Sequence, residues 1–374
     1  MTAMDRTLVA PDEAGIDPAR LDVLMRRVRL EVEHGPLPSA QIAVAKDGRL
    51  VAFETVGNAR NDLRYILQSA GRGVVAGVVW KLIGEGLLDI SERVADVIPE
   101  FATNGKDVVT VAQVLTHTAG LPFAPLGYPK MLARSQRLEA FGRWRLTYEP
   151  GTQFQYHLTS SAWIIAELVE RRTGLSFTAY LREEIAEPLG LSLELQVPPE
   201  RQRHTIAWPE ATNRTSDDQQ VDPWGPWYLA DPDILAAGEP SHSMVGTAAD
   251  VALFYQALFH SDLWTPEAVV EGSRIHVSQA PVGDQLYGGG DVVTHTGLFL
   301  TVSGDSPGDW MPATASPAAF GNGGAPCQLA FIDPETGVSF AFLTNGYPMS
   351  GYDYTRAGVN RRINIANLAG DLIG

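Results

Sequence analysis

A serine stands at the start of the most apolar segment of the chain. Ser69 comes shortly before the run over residues 74–83, which stops near Gly84. A serine in this place is most often an N-cap, because its hydroxyl accepts a hydrogen bond from a free amide of the first helical turn. The same free amides can hold an oxyanion, so a serine at a helix start is also a candidate nucleophile. Arg72 follows three residues later, one helical turn away on the same face.

The sequence offers no pattern of metal ligands or of nucleotide-binding glycines. It has no H-E-x-x-H string and no Cys and His pairs at metal-ligand spacing. No G-x-G-x-x-G string follows a predicted strand, and Gly288-Gly289-Gly290 is predicted to be a loop. We therefore expect no metal and no cofactor. Cys327 is the single cysteine, which excludes an internal disulfide framework and predicts a small buried apolar residue.

The length and charge of the chain limit the classes of partner. Its 374 residues allow two or three compact units, or one large fold with an insertion. The 44 acidic and 28 basic residues give a net charge of −16, which disfavours nucleic acid and anionic membrane surfaces. No run approaches the roughly 18 apolar residues of a spanning helix, and no secretory signal is visible. We expect a cytoplasmic protein with a small-molecule substrate, and a homo-oligomer is compatible with the sequence.

Helix and hairpin signals mark both ends of the chain. Asp17 and Pro18 predict an N-cap and the first position of a helix that ends near Gly35. Two strand-like runs on either side of Asp47-Gly48 predict a hairpin with a tight turn. A second hairpin is predicted over residues 327–344.

Between these hairpins the sequence predicts mainly helices, from about residue 70 to residue 260, and a closing helix follows over 354–372. The pattern predicts an α+β fold, in which an antiparallel β-sheet made from both ends of the chain is flanked by N- and C-terminal helices. A mainly helical domain is inserted. We assign residues 1–68 plus 265–374 to the sheet domain and 69–264 to the helical domain, which contains a Trp/Asp/Pro-rich loop at 200–245.

The element order and several local strings resemble the serine β-lactamase and penicillin-binding-protein-like superfamily. The most similar branch contains class C β-lactamases and the family VIII carboxylesterases and transacylases. The resemblance extends from about residue 15 to 368, and its clearest strings are GEGLLDISERVADVIPEF (84–101), VLTHTAGLP (114–122), EPGTQFQY (149–156), REEIAEPLGL (182–191) and FGNGGAPCQLAFIDPETGVSFAFLTN (320–345). It implies a β-lactamase/transpeptidase-like fold with an active site at the junction of sheet and helices.

The catalytic pattern of this superfamily is S-x-x-K, then Y-x-N, then K-T-G or H-x-G on a strand. The resemblance places it on Ser69-Ala70-Gly71-Arg72, Tyr156-His157-Leu158 and Asn322-Gly323-Gly324. Arginine, leucine and asparagine therefore replace the usual lysine, asparagine and histidine. His295-Thr296-Gly297 is an alternative third motif, but it lies too far ahead of the second hairpin. We interpret His117 as a scaffold residue.

The resemblance implies that Ser69 attacks the substrate while a neighbouring base takes its proton. Arginine stays protonated near neutral pH, so Arg72 cannot be this base and is expected to act as a fixed cation. We expect this cation to lower the pKa of Tyr156 and to favour a phenolate that accepts the proton. Alternatively, Arg72 is a structural cation, and Tyr156 is a buried aromatic residue.

The remaining site residues are predicted to contact the substrate. Asn322, Gly323 and Gly324 would bind it, and backbone N–H groups of Ser69 and of Cys327 or Gln328 would form the oxyanion hole. Trp224 and Trp227, with Asp222 and Asp231 nearby, predict an aromatic pocket with an acidic mouth. Such a pocket favours neutral or cationic substrates. Packing of these tryptophans at a domain interface explains the same pattern.

These residues favour a serine hydrolase or acyltransferase that acts on an ester, thioester or amide through an acyl-Ser69 intermediate. We expect carboxylesterase or transacylase chemistry more than β-lactam hydrolysis. A non-hydrolytic lyase, isomerase or cyclase on the same scaffold is the first alternative, because fold does not fix chemistry. A binding protein with a catalytically dead site is the second.

Overall fold

The computed structural model describes residues 3–126, 130–212, 231–280, 293–305, 311–347 and 358–373. The helices are α1 (Pro18–Glu33), α2 (Arg72–Gly84), α3 (Val94–Val97), α4 (Val111–Leu115), α5 (Arg134–Arg143), α6 (Ser160–Thr173), α7 (Phe177–Leu181), α8 (Glu187–Leu189), α9 (Pro199–Thr205), α10 (Pro232–Ala237), α11 (Ala248–His260), α12 (Pro266–Ser273) and α13 (Val359–Gly370). Within these ranges, no helix combines the length and the apolar character needed to cross a membrane.

The strands form one large sheet and two small ones. They are β1 (Ser39–Lys46), β2 (Arg49–Gly57), β3 (Tyr65–Ile66), β4 (Glu210–Ala211), β5 (Val245–Gly246), β6 (Val277–Gln279), β7 (Thr294–Thr296), β8 (Thr301–Val302), β9 (Phe320–Gly324), β10 (Gln328–Asp333), β11 (Val338–Thr344) and β12 (Gly346–Tyr347). The large sheet has the order β2-β1-β11-β10-β9-β8-β7-β6. Because β1 pairs antiparallel with β11, the hairpins from the two ends of the chain share this sheet, which confirms the predicted fold class.

Local sequence signals account for several element boundaries. The Asp17 side chain accepts a hydrogen bond from Ala19 N–H and begins α1, with Pro18 at its first position. At the β1–β2 turn, Asp47 and Gly48 have φ angles of 51° and 77°, the left-handed pair of a tight primed turn. Thr247 and Asp250 form a capping box that begins α11. The predicted closing helix is present as Val359–Gly370, and residues 354–357, with which it was predicted to begin, lie outside the described residues.

The large sheet is covered on both faces, so its central strands have no exposed side. The side chains of β11 are buried along its whole length. On one face they pack with α1 and α13, where Leu24, Val28 and Ile365 belong to the same apolar cluster. On the other face α11 packs on β1 and β11, and α2 packs on α11. A sheet buried on both faces explains the nearly continuous apolar runs of these strands.

Two glycines allow α2 to approach α11 closely. A methyl group at Gly77 would lie 2.5 Å from Phe254 Cζ, and one at Gly73 would lie 2.0 Å from Tyr255 Oη. Both aromatic side chains are fully buried. Because α2 follows Ser69 directly in the chain, this contact also fixes the depth at which Ser69 is held.

We expect Gly77→Ala to lower the free energy of unfolding by about 1–2 kcal/mol, because overpacking outweighs the better helix propensity of alanine. Gly142→Ala is the matched control, since a methyl group there meets only Glu100 O at 3.5 Å. The control should gain a few tenths to about 1 kcal/mol. Urea unfolding of both variants measures the difference, and equal stabilities would contradict the close α2–α11 contact.

Candidate active site

Ser69 lies in a short turn that leads directly into α2. Residues Gln68–Gly71 form one turn of 3₁₀-helix, and Gly71 is the residue that precedes α2. Ser69 is therefore not the N-cap of the apolar helix, and its side chain stays partly exposed. Its backbone N–H belongs to a first turn, in which amides have no acceptor within the helix.

The residue before Ser69 has an uncommon backbone conformation. Gln68 is fully buried and has a φ of 50°, in the left-handed region that costs a non-glycine residue free energy. Its side-chain amide donates a hydrogen bond to Tyr347 Oη at 3.1 Å, which helps to hold this conformation. Strain of this kind, of order 1–3 kcal/mol, is concentrated at functional sites.

Tyr156 contacts Ser69 directly. The Ser69 hydroxyl and the Tyr156 phenol share a hydrogen bond. Tyr156 is half-buried and lies in the extended segment just before α6. The predicted closeness of the two hydroxyl groups is therefore confirmed, and a proton can pass from one to the other without an intervening residue.

Arg72 holds the segment that carries Tyr156. Its side chain is fully buried, and Nη2 donates hydrogen bonds to the carbonyl groups of His157 at 3.0 Å and Leu158 at 2.6 Å. The guanidinium carbon lies 4.4 Å from the centre of the Tyr156 ring and 4.8 Å from that of Phe299. Arg72 thus lies over the face of the tyrosine ring as a cation–π partner and also fixes its backbone.

The pKa of Tyr156 is raised above its usual value, which corrects the expectation of a lowered one. Burial of the phenol raises this pKa and outweighs the Arg72 cation and the Ser69 hydrogen bond, which both lower it. The negative charge of Glu239 raises it further. The sequence analysis considered only the cation, because burial and Glu239 depend on how distant segments pack together.

Two buried histidines complete the wall behind Arg72. The His117 ring centre lies 4.8 Å from that of Tyr156, and His117 Nδ1 accepts a hydrogen bond from His157 N–H at 3.2 Å. Burial lowers the pKa of His117 well below its usual value, and that of His157 to about 4. Both rings are therefore neutral at physiological pH. His117 lies in the turn after α4, where the sequence analysis expected a scaffold residue, and its ring also lies against Tyr156.

Asn322 and Gly324 bring strand β9 against the Ser69 turn. Asn322 Nδ2 donates to the Ser69 carbonyl at 3.2 Å, and its Oδ1 accepts from Thr301 N–H at 3.1 Å. A methyl group at Gly324 would lie 3.1 Å from Ser69 N and 2.7 Å from Ala70 N, so only glycine fits there. Of the two candidates for the third motif, Asn322-Gly323-Gly324 is therefore the one that contacts the Ser69 turn.

The alternative third motif lies elsewhere. His295 is on β7, which β8 separates from β9. Its ring nitrogens lie 2.8 Å from Ser278 Oγ and 2.8 Å from Asp305 Oδ1. These contacts link β6, β7 and the turn after β8, and they show no connection to Ser69.

Cys327 and Gln328 are both buried, and their side chains have different surroundings. Cys327 belongs to the apolar cluster under α1 and α13, as expected for a small buried residue. Gln328 Nε2 donates to the carbonyl groups of Ile66 at 3.1 Å and Thr344 at 2.8 Å. The role of their backbone N–H groups in an oxyanion hole stays a prediction.

The predicted aromatic wall cannot be placed. Trp224, Trp227 and Asp222 lie outside the described residues, and Asp231 caps α10 through Asp233 N–H. In the ranges that the structure describes, no group of three or more His, Cys, Asp or Glu side chains could hold a metal ion.

The sequence analysis missed a buried acidic group beside the site. Glu239, Ser241 and His242 follow α10, and Ser241 Oγ lies 3.1 Å from the Leu158 carbonyl oxygen to which Arg72 also donates. A signal was present: a glutamate and a histidine three residues apart interrupt an otherwise small and apolar segment. Pattern alone gave no reason to connect this segment to Tyr156.

Three left-handed residues converge on the same small volume. Besides Gln68, His117 has a φ of 59° and Phe299 a φ of 72°. His117 and Phe299 have ring centres 5.6 Å apart, and Arg72 lies over the Phe299 ring. Such a concentration of strained residues around a serine, a tyrosine and a buried cation is typical of a pre-organised reaction site. The arrangement can hold a nucleophile next to a proton acceptor in a field of fixed charges.

Known proteins are similar to this chain over most of its length. The sequence model of the Beta-lactamase family matches residues 24–363. Penicillin-binding protein 4 of Amycolatopsis lactamdurans is 30% identical over 340 residues, which cover 85% of this chain and 83% of that protein. Esterase EstB of Burkholderia gladioli is 26% identical over 386 residues, which cover 92% of this chain and 95% of that protein.

A solved structure shows the same fold. The crystal structure of a family VIII carboxylesterase superposes with a TM-score of 0.78 at 23% identity, covering 95% of this chain and 99% of that one. At this identity the likeness concerns the fold alone. The match of the family model over most of the chain, together with the penicillin-binding relative, decides the classification. The chain belongs to the Beta-lactamase family.

Proposed function

We propose that the protein is a serine hydrolase or acyltransferase that acts on an ester, thioester or amide through an acyl-Ser69 intermediate. The observation that carries the proposal is the hydrogen bond between Ser69 and Tyr156 beside the buried Arg72 cation. A serine hydroxyl becomes an effective nucleophile when a positioned base takes its proton. Among the described residues in contact with Ser69, Tyr156 is the titratable group that can do so.

In this proposal, the Tyr156 phenolate takes the proton from Ser69 Oγ while Oγ bonds to the carbonyl carbon of the substrate. The negative charge then moves to the carbonyl oxygen. The Tyr156 phenol returns the proton to the leaving alcohol, thiol or amine as its bond to the carbonyl breaks. Water or another acceptor attacks the acyl-serine by the same steps in reverse, which restores Ser69.

The oxyanion needs two backbone donors, and one of them is Ser69 N–H. Because Gly324 packs directly against this amide, we assign the second donor to the next residue along the strand end, Ala325, in place of Cys327 or Gln328. Asn322 takes the role of a positioning residue, since its side-chain amide holds the Ser69 carbonyl. Contact of Asn322, Gly323 and Gly324 with the substrate stays part of the proposal.

The relatives support the bond type. One relative is by name an esterase and one structural neighbour a carboxylesterase, so we propose an ester or a related acyl bond as the one that is broken. The net charge of −16 favours neutral or cationic substrates over anionic ones.

A second candidate function follows from the protonation state of Tyr156. Its raised pKa favours the neutral phenol at neutral pH, and a phenol beside a substrate is a proton donor. A lyase, isomerase or cyclase could use this donor while Ser69 only hydrogen-bonds the substrate. The two candidates differ in which of the two hydroxyl groups is indispensable.

We expect Ser69→Ala to abolish turnover of activated esters and labelling by a fluorophosphonate, because it removes the attacking atom. Tyr156→Phe should lower kcat/KM by about 10²–10⁴-fold, the usual contribution of a positioned base. Intact-mass analysis and ester kinetics measure both effects. Activity that survives in Ser69→Ala and is lost in Tyr156→Phe would reject the acyl-enzyme and favour the second candidate.

The raised pKa of Tyr156 predicts that kcat/KM increases with pH across the neutral and alkaline range, because the phenolate fraction increases. Arg72→Met removes the cation that lowers this pKa, so the increase should move to higher pH. Arg72→Lys keeps a cation and should keep the midpoint, with a lower kcat because one carbonyl contact is lost. The same midpoint in Arg72→Met and the wild type would show that Arg72 has a structural role only.

A further inference from the structure

A buried acidic cluster, formed by Glu239, Ser241 and His242, lies next to the Tyr156 segment. Each of the three residues is no more than 1% exposed. Ser241 Oγ lies 2.8 Å from Glu239 Oε1, and His242 Nδ1 lies 2.7 Å from Glu239 Oε2. With the imidazole proton assigned to Nδ1, both groups can donate to the carboxylate. We call these three residues the Glu239 cluster.

The cluster is costly for folding and has no fixed positive charge. A carboxylate removed from water requires a cation or several hydrogen-bond donors to offset its lost hydration. In the described part of the chain, the side-chain partners of Glu239 are a hydroxyl and an imidazole. An ionised Glu239 carboxylate beside a neutral imidazole therefore adds a net negative charge to the interior.

One carbonyl group connects the cluster to the Tyr156 segment. The Leu158 oxygen lies 3.1 Å from Ser241 Oγ and 2.6 Å from Arg72 Nη2. The Arg72 cation thus lies at a carbonyl two residues from Tyr156, and the Glu239 carboxylate is one hydroxyl group further away from it. Both are shielded from solvent, so their fields act on the phenol with little screening.

Several polar or titratable groups of the described residues face Tyr156. Ser69 and Arg72 face it from the turn before α2 and from α2 itself, and the His117 ring faces it from the segment after α4. The Glu239 cluster acts from the segment after α10. Because His117 is neutral at physiological pH, the charged members of this described set are Arg72 and Glu239.

We propose that Glu239 is a positioning residue that opposes the ionisation of Tyr156, and that Ser241 and His242 hold its carboxylate for this task. This inference rests on the proposed function, because Glu239 would affect catalysis by setting the strength of the base that activates Ser69. A phenolate that forms less readily is a stronger proton acceptor once formed. The charge of Glu239 therefore lowers the fraction of Tyr156 that is ionised at neutral pH. It also makes the phenolate that does form a stronger base.

The test is the titration of Tyr156 in Glu239→Gln. Phenolate absorbance at 295 nm is read directly after a pH jump, and the same trace from a Tyr156→Phe protein in the matching background is subtracted. Removal of the charge should move the Tyr156 midpoint down by about one pH unit. Glu31→Gln, a change at another buried carboxylate that lies on α1, should leave the midpoint unchanged.

Activity gives an independent readout. With a midpoint about one unit lower, kcat/KM of Glu239→Gln on an activated ester should increase about threefold near pH 7 and decrease about threefold at the alkaline plateau. The phenolate fraction increases about tenfold at neutral pH while each phenolate becomes a weaker base, which gives this crossing profile. A merely structural role would lower the rate at every pH.

Two further variants keep the test decisive if Glu239→Gln folds poorly. Glu239→Met removes the charge at similar volume and should show the same downward shift, whereas Glu239→Asp keeps the charge and should titrate as the wild type does. An unshifted Tyr156 midpoint in both charge-removing variants would overturn the inference. A downward shift with an unchanged pH–rate profile would support the inference and reject Tyr156 as the base.

Discussion

A guanidinium group that no solvent reaches lies at the centre of this site, and the surrounding structure is arranged around the cost of burying it. Arg72 is held by two backbone carbonyls and lies between the aromatic faces of Tyr156 and Phe299. A charge in such a place is tolerated only when donors, acceptors and polarisable rings replace its hydration. The neighbouring histidines stay neutral chiefly because they are buried, and the Arg72 cation beside them lowers their pKa values further.

The buried Arg72 cation also fixes the conformation of the backbone around the site. By binding the carbonyls of His157 and Leu158, it fixes the backbone on which Tyr156 stands. The glycines of α2 fix the depth of the helix that begins at Arg72, and Gly324 allows β9 to reach the Ser69 amide. The left-handed conformations of Gln68, His117 and Phe299 are stable only because this packing determines them. Stability gained in the apolar core thus holds a strained site in place.

The sequence predicts the fold well because its signals are local and repeated. The Asp47-Gly48 turn, the Thr247 cap and the apolar runs of β10 and β11 each specify an element with little help from distant residues. The contact between Ser69 and Tyr156 was also predictable, since the order of motifs places both residues at one junction. Ser69 itself was harder, because an N-cap serine and a serine in a turn before a helix have the same sequence pattern.

What could not be predicted depends on contacts between segments that are distant in the sequence. The pKa of Tyr156 is set by burial, by Arg72 84 positions earlier and by Glu239 83 positions later, and no local pattern gives the balance of these effects. His117 was excluded on its turn-like surroundings, yet its left-handed backbone turns the ring towards the site. Sequence patterns identify which residues are available, whereas the sum of opposing fields at one atom requires their positions.

The replacement of lysine by arginine changes how many groups can move a proton. A lysine one turn after the serine can act both as a cation and, when desolvated, as a proton carrier. Arg72 can act only as the cation, because it does not lose its proton at any accessible pH. In the proposed mechanism, every proton transfer then falls to Tyr156, which must accept from Ser69 and return the same proton to the leaving group.

A single proton carrier works in both directions only if its proton affinity lies between those of the two partners. Serine and alcohol hydroxyl groups hold their protons more tightly than an ordinary phenol does, so a tyrosine with a raised pKa is better matched to them than one with a lowered pKa. Burial and the charge of Glu239 move Tyr156 in this direction, and Arg72 limits how far the shift goes.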